Sequence, residues 1–166
     1  EVEEGSDWPS QPIMAIVVSL MKHSQAQTAK ETRPITVFGL VYQTWSGIRS
    51  KQVLAWMATW LPPTCVGFIF GRSAEDVWLS NQLEVEIAVM NHELVGGGVA
   101  DVVKCFNCLP RAPIMEAAKQ VGIPLRIMTP WASLLKGLRR RFRHRGAVGD
   151  SLEAFTGFPE GCGLSC

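Results

Sequence analysis

The segment GGGVADVVKCFNCLPR, residues 96–111, contains a single carboxylate, Asp101, within the apolar run VADVV. A carboxylate in such a predicted strand can be a buried side chain that is paired with Lys or Arg. It can also be a metal ligand at the strand end, where it and a backbone carbonyl offer hard oxygen atoms to Mg²⁺. The spacing of the neighbouring residues leaves both interpretations open.

The cysteines include two closely spaced pairs, Cys105 with Cys108 and Cys162 with Cys166. Four thiolates can bind one zinc ion, but these pairs are much further apart than the separation of about 15 to 20 residues in a four-cysteine zinc ribbon. With Cys65 the total is five, an odd number without a secretory context. This predicts free thiols and an intracellular protein, either nuclear or cytoplasmic. A zinc-stabilised interaction module remains an alternative.

Basic side chains are concentrated near the end of a predicted helix. Cations are favourable at a helix C-terminus, and a run of charges is usually a solvated surface. Six of the 16 Lys and Arg residues in this one stretch are nevertheless more than capping requires. The cluster can also be a strip that contacts nucleic-acid phosphates, in which case added salt weakens binding. Its members are Lys136, Arg139, Arg140, Arg141, Arg143 and Arg145.

Two strands are predicted in the first part of the chain. Residues 13–22, IMAIVVSLMK, are β-branched and apolar and end at Lys22. Residues 33–42, RPITVFGLVY, follow a polar loop, and Pro34 is tolerated because it lies near the start of the strand. Together these features predict a β-hairpin.

Two helices are predicted after the hairpin. The first, over residues 46–63, stops at Pro62 and Pro63. The second begins at Ser73 and Asp76, which have the spacing of a capping box. Apolar residues then fall on one helical stripe at Leu79, Leu83, Ile87, Met90 and Leu94.

The second half of the chain is predicted to mix both element types. Residues 99–103 read as a short buried strand, and residues 111–122 as a helix that ends at Gly122. A further helix is predicted over 129–146, with Thr129 as N-cap and Gly146 as terminator. Because strands and helices do not alternate regularly, the predicted class is α+β.

The composition is that of a folded domain. The chain has 166 residues, a formal net charge of +1, 47% hydrophobic and 19% charged residues. These values exclude a disordered chain, and no run is long and apolar enough to span a membrane. Residues 1–12 form an acidic segment that is unlike a secretory signal. The chain does not begin with Met, so we expect a piece of a longer protein.

Four segments, in this order, resemble the fingers and palm of reverse transcriptases, most closely those of non-LTR retrotransposons and group II introns. They are RPITVFGLVYQTW, GFIFGRSAEDVWL, ADVVKCFNCLPR and TGFPEGCGLS. The resemblance implies right-hand polymerase fingers and a partial palm over residues 13–166. It further implies an enzyme, encoded within a retroelement polyprotein, that extends a DNA primer on an RNA template with deoxynucleoside triphosphates.

In this resemblance Asp101 matches the first catalytic aspartate of the palm. With the backbone carbonyl of Val102 it would help to bind two Mg²⁺ ions, which activate the primer 3′-hydroxyl and stabilise the leaving pyrophosphate. Phe106 matches the aromatic residue that selects deoxynucleotides by blocking a 2′-hydroxyl. Without the resemblance, Phe106 would read as a core residue.

Three basic residues match family positions outside the palm. Lys22 and Arg33 resemble the fingers residues that bind the incoming triphosphate, a role suited to an ammonium point charge and a planar guanidinium. Arg72 resembles a position near the template path. Taken alone, the three would read as surface charges.

The segment GFPEGCGLS resembles the loop beneath the nascent base pair, where glycines such as Gly161 permit close backbone approach. Glu160, at a position expected to contact the nucleotide, departs from the Gln that is common in the family. A carboxylate near phosphates is electrostatically unfavourable, so this departure puts activity or fidelity in question. Asn107 stands where many relatives have Asp.

The family's next palm motif carries two adjacent aspartates, and no such pair occurs in this sequence. We therefore expect the chain as given to be catalytically inactive, with the motif beyond Cys166 in the longer protein. A strand at 99–103 would then have an open edge, which predicts marginal stability. A non-catalytic nucleic-acid-binding remnant that uses the basic helix is an alternative function.

Overall fold

A computed structural model of the protein describes residues 1–10, 13–25, 28, 31–144 and 146–165. Within these ranges the chain forms one four-stranded sheet and five helices, which confirms the predicted α+β class. The strands are β1 (Met14–Met21), β2 (Thr32–Val37), β3 (Arg139–His144) and β4 (Ala147–Glu153). The helices are α1 (Leu40–Met57), α2 (Ala74–Met90), α3 (Cys105–Cys108), α4 (Arg111–Gln120) and α5 (Leu125–Gly137).

The strand order in the sheet is β2-β1-β3-β4. Strand β1 pairs with β2 in antiparallel orientation, which confirms the predicted hairpin, and with β3 in parallel orientation. Strand β2 is shorter than predicted, because the chain turns into α1 at Leu40. Tyr42 and Ser46 lie one helical turn apart in α1, and both are buried. The helix therefore buries side chains that a longer strand could not.

The predicted helix over 129–146 is wrong at both ends. Helix α5 begins at Leu125, contains Pro130 in its interior and ends at Gly137. The arginine-rich residues that follow form β3, since they pair with β1 on one side and β4 on the other. Gly146 has a φ of 90° and lies between β3 and β4, so it does not terminate a helix.

The predicted strand at residues 99–103 is also wrong. Asp101 and its neighbours have no regular secondary structure, and both Asp101 and Val102 are exposed. A strand needs a partner for its N–H and C=O groups, and none of the four strands in the described part of the chain pairs with these residues. The open strand edge from which marginal stability was predicted is therefore not present at 99–103.

The described residues divide into two compact units. The first comprises Glu1–Ser50 and Val103–Ser165, and it contains the whole sheet together with α3, α4 and α5. The second comprises Lys51–Val102 and contains α2. Helix α1 contributes residues to both units.

An aromatic cluster forms the core of the first unit. The rings of Trp8 and Tyr42 meet edge to face with centroids 5.3 Å apart, and Trp45 contacts both. The indole N–H of Trp8 donates to the carbonyl of Pro130 at 2.7 Å. The acidic N-terminal segment therefore contributes a core residue. Other buried members are Ala15, Phe38, Leu134, Leu138 and Cys162.

In the second unit, α2 begins as predicted. The Ser73 hydroxyl accepts from the backbone N–H of Asp76, and the Asp76 carboxylate accepts from the backbone N–H of Ser73. This confirms the capping box. The predicted apolar stripe runs along α2 and continues past its end. It is exposed along its whole length, at Leu79, Leu83, Ile87, Met90 and Leu94.

The N-terminal segment provides a pH-dependent contact. The Glu3 carboxylate accepts from the Arg49 guanidinium at 2.6 Å and from the Trp45 indole N–H at 2.7 Å. These bonds to Arg49 and Trp45 hold the pKa of Glu3 below its ordinary value of 4.5. A carboxylate with a lowered pKa stabilises the fold above its unfolded-state pKa, and this stabilisation is lost as the pH falls.

We expect Glu3→Gln to lower the free energy of unfolding by about 1 kcal/mol at pH 7, because Gln keeps the shape but not the charge. The difference from the original protein should shrink as the pH falls below 4.5. Urea unfolding at pH 7 and pH 3.5, followed by tryptophan fluorescence, measures both values. Glu4→Gln is the control, since the Glu4 side chain is exposed. A difference that does not change with pH would contradict the charge-based explanation.

Candidate functional site

The loop over residues 157–161 forms backbone hydrogen bonds with both α3 and β2. The backbone N–H of Phe158 donates to the carbonyl of Phe106 at 2.6 Å. Two residues later, the carbonyl of Glu160 accepts from the backbone N–H of Thr36 in β2, also at 2.6 Å. The structure thus brings together Phe106, Glu160 and Gly161, which the sequence predicts to contact a nucleotide, with the strand that carries Arg33.

Two glycines allow this close packing. Gly161 has a φ of 105°, and a Cβ there would lie 2.5 Å from the carbonyl oxygen of Thr36. Gly157 has a φ of 71°, and a Cβ there would lie 2.5 Å from the carbonyl oxygen of Asn107. Both distances are too short for any side chain, and both φ values favour glycine. At Gly161 the close neighbour is the backbone of Thr36, and the approach to a nascent base pair that the resemblance implies stays a prediction.

Helix α3 is a single turn that presents Phe106 and Asn107 to the loop. Lys104 precedes it in the left-handed region, with a φ of 51°. Phe106 and Asn107 are both half-buried. The Asn107 side-chain amide donates to the Glu160 carboxylate at 3.0 Å. The two positions at which the sequence departs from the reverse transcriptase pattern that it resembles are therefore hydrogen-bonded to each other.

Arg111 is a site residue that the sequence analysis missed. Its guanidinium donates to the carbonyls of Gly157 at 2.7 Å, Leu135 at 2.6 Å and Thr156 at 3.3 Å. Burial, and then the charge of Arg140, lowers the pKa of Arg111. Arg111 is part of the segment ADVVKCFNCLPR, but nothing in that spacing predicts a side chain that would bind three carbonyls of distant segments.

The arginines of β3 lie on two faces of the sheet. Side chains alternate along a strand, so Arg139, Arg141 and Arg143 share one face and Arg140 lies on the other. The three that share a face are exposed, and Arg139 forms an ion pair with Glu153 at 3.1 Å. The prediction of one basic strip at a helix end is therefore wrong in its geometry. Lys136 lies in the last turn of α5, and Arg145 lies outside the described residues.

Arg140 is half-buried on the opposite face. Its Nε and Nη2 atoms are inaccessible to solvent and have no hydrogen-bond partner within the described ranges. Burial lowers the pKa of Arg140, and the negative charge of Glu160 opposes that shift.

Arg33 shares the sheet face of the exposed arginines. It pairs with Leu20 of β1, and Leu20 lies on the same side of β1 as Ile16 and Val18. Ile16 and Val18 in turn pair with Arg141 and Arg143. The face therefore has a central apolar strip with guanidinium groups on both sides. Lys22 follows β1 and is exposed, and its backbone N–H donates to Glu31.

Asp101, Val102 and Arg72 belong to the second unit. Asp101 and Val102 present a carboxylate and a carbonyl oxygen, ligands of the type that Mg²⁺ prefers, on an exposed segment. Arg72 is not a free surface charge, because its guanidinium binds four carbonyls of the segment after α1. The acceptors are Ala58 at 3.2 Å, Leu61 at 3.1 Å, Pro62 at 2.6 Å and Cys65 at 2.9 Å.

The cysteines are dispersed in the described structure. Cys162 is buried, and its sulfur lies 2.9 Å from the Tyr42 hydroxyl in a hydrogen bond. Burial raises the pKa of Tyr42 well above its ordinary value. Cys105 and Cys108 lie in α3, and Cys166 lies outside the described residues. In the described ranges, no three His, Cys, Asp or Glu residues come together as a metal site.

The chain matches no protein-family model and no curated protein sequence. None of the helices in the described part of the chain has the length and apolar character that a membrane crossing requires.

We expect Gly161→Ala to destabilise the first unit by about 1–3 kcal/mol more than Gly5→Ala does, because a Cβ at Gly161 would meet a backbone atom and a Cβ at Gly5 would not. Gly5 has a φ of 104° and nothing within 4 Å of an added Cβ, so it controls for backbone strain alone. Urea unfolding of both variants measures the difference. Equal losses would show that the 157–161 loop can move away from β2 at little cost.

Proposed function

We propose that this chain is the fingers and first part of the palm of a retroelement RNA-directed DNA polymerase. The observation that carries the proposal is the junction of α3, the loop 157–161 and β2. These three segments belong to separate motifs in the sequence, and the resemblance assigns all three to the site of the incoming nucleotide. Their hydrogen bonds join Phe106, Glu160 and the strand of Arg33 within one compact unit.

In this proposal the chain binds a deoxynucleoside triphosphate beside an RNA template and a DNA primer. Arg33 is exposed at the end of β2 next to the polar loop, where its planar fork can bind phosphate oxygens. Lys22, exposed at the end of β1, adds a point charge on the same hairpin. Phe106 is half-buried, and in this proposal its ring blocks a 2′-hydroxyl and so selects deoxynucleotides.

The metal chemistry is assigned to Asp101 and Val102. Their oxygen atoms suit Mg²⁺, which when bound lowers the charge of the triphosphate and favours attack by the primer hydroxyl. One carboxylate and one carbonyl cannot hold two ions alone. We therefore assign the remaining carboxylates to the longer polyprotein of which this chain would be a part, and we expect binding without polymerisation from the chain as given.

Nucleotide binding tests this function directly. Unlabelled dTTP and UTP are competed against a fluorescent dTTP analogue, with Mg²⁺ and an RNA template annealed to a DNA primer. We expect a preference for dTTP that Phe106→Ala reduces by about tenfold, because the preference comes from contact with the sugar. Arg33→Ala should weaken the binding of both nucleotides by about tenfold or more, because it removes a charge-assisted hydrogen bond to phosphate.

Lys119→Ala is the control for this experiment, since Lys119 is an exposed cation on α4. Equal affinity of the original protein for dTTP and UTP would contradict the proposed function. An Arg33→Ala variant with unchanged affinity for both nucleotides would show that Arg33 does not contribute to nucleotide binding.

A second candidate function, nucleic-acid binding without catalysis, is favoured by the basic sheet face. Arg139, Arg141 and Arg143 lie across β1 from Arg33, and apolar side chains fill the space between them. Guanidinium groups bind phosphates, and exposed apolar groups such as Ile16 and Leu20 can contact bases. This face would bind single-stranded RNA whether or not Asp101 is present.

The salt dependence of RNA binding separates this function from the first. The binding constant falls as salt rises, so log K has a negative slope against log salt. Simultaneous replacement of Arg139, Arg141 and Arg143 by Ala should reduce the magnitude of this slope by about 2, at about 0.7 per lost phosphate contact. Fluorescence anisotropy of a labelled single-stranded RNA between about 50 and 500 mM NaCl, a range of one decade, measures the slope. Replacement of the exposed Lys51, Lys119 and Arg126 by Ala is the matched control. Equal slope changes in both triple variants would indicate binding by net charge alone.

A further inference from the structure

The hydrogen bond between Asn107 and Glu160 connects residues that are 53 positions apart. Asn107 is in α3 next to Phe106. Glu160 is next to Gly161 in the loop over residues 157–161, which is called the glycine loop below. Both side chains are half-buried, so water competes less for this bond than at an open surface. It is a side-chain link between the same two segments that the backbone bond from Phe158 to Phe106 joins.

Glu160 also influences Arg140 of β3. The Arg140 guanidinium is half-buried, and two of its nitrogen atoms have no hydrogen-bond partner among the described residues. The negative charge of Glu160 favours the charged form of Arg140. The carboxylate at position 160 therefore accepts from an amide of α3 and favours a cation of β3.

Backbone contacts leave Glu160 little freedom to move. Its carbonyl accepts from Thr36 of β2, and a Cβ at Gly161 would meet the carbonyl of the same residue. Asn107 is held in the same way, because its own carbonyl lies against Gly157. A repulsion between the two side chains would therefore act directly on α3, the helical turn that also carries Phe106.

We propose that Asn107 and Glu160 form a positioning pair that fixes Phe106 against the glycine loop, and that the pair requires one amide and one carboxylate in either order. The pair explains why the departures at these two positions are compatible with each other. Its effect on nucleotide choice rests on the proposed polymerase function, whereas its effect on stability does not.

Exchanging the two side chains tests the pair. Asn107→Asp places two carboxylates about 3 Å apart, and Glu160→Gln places two amides there. The double variant restores one amide and one carboxylate with the direction of donation reversed. Each protein is examined by urea unfolding and by its preference for dTTP over UTP on the RNA–DNA template and primer.

We expect Asn107→Asp to lower the urea midpoint and to reduce the dTTP preference by about tenfold, since it introduces repulsion beside Phe106. Glu160→Gln should have a smaller effect of about threefold, because two amides can still form a hydrogen bond. The double variant should return to within about twofold of the original protein in both measurements, a coupling that independent sites do not show.

Gln82 and Glu86 provide the matched control. They form an exposed amide–carboxylate bond of 2.9 Å on α2, and exchanging them should leave both measurements unchanged. Additive losses in the Asn107 and Glu160 double variant would overturn the proposal. Recovery of the midpoint without recovery of the dTTP preference would overturn the positioning role. Absence of nucleotide binding by the original protein would refute the proposed function, while the midpoints would still decide whether the two residues act as a pair.

Discussion

The approach of the loop 157–161 to the backbones of α3 and β2 is the constraint on which the site depends. Strand β2 is at the edge of the sheet, and the N–H of Thr36 points away from β1. The carbonyl of Glu160 satisfies that N–H, so the loop covers part of an otherwise open edge. The approach is possible because Gly157 and Gly161 have no Cβ. The loop and β2, which are more than 100 residues apart, are thereby held together without a disulfide in the described ranges.

Because side chains alternate along β3, neighbouring arginines lie on opposite faces of the sheet and have different surroundings. Arg139, Arg141 and Arg143 are exposed on the face that also carries Arg33, and Arg139 pairs there with Glu153. Arg140 is half-buried on the opposite face, where the negative charge of Glu160 favours its charged form. A helix would have spread these cations around its axis. Strand geometry instead produces one exposed basic face and one partly buried cation on the other face.

Short-range patterns in the sequence were sufficient to predict several elements correctly. The β1–β2 hairpin, the capping box of Ser73 and Asp76, and α4 with Gly122 after its end all form as predicted. Prediction failed where distant pairing decides the structure. The residues after Gly137 form β3 because they pair with β1, which is more than 100 residues earlier in the chain. Asp101 lies outside any strand, since an apolar run becomes a strand only where a partner is present.

The site was predictable to a similar extent. Motif order pointed to Phe106, Glu160 and Gly161, and the structure brings them together, but the position of Asp101 in the second unit did not follow from the motif. The bonds of Arg111 to three carbonyls could not be anticipated, because they depend on how α4, α5 and the loop pack. The pairing of Asn107 with Glu160 has the same origin. Each residue looked like an isolated departure until the fold placed them in contact.

The electrostatics of the junction give a physical reason for a carboxylate at position 160. Arg111 and Arg140 are both partly buried, and besides the effect of burial the charge of Arg140 lowers the pKa of Arg111. Arg111 is stabilised by three carbonyls, whereas two nitrogen atoms of Arg140 have no hydrogen-bond partner among the described residues. The negative charge of Glu160 favours the charged form of Arg140, and the same carboxylate accepts the hydrogen bond of the Asn107 amide.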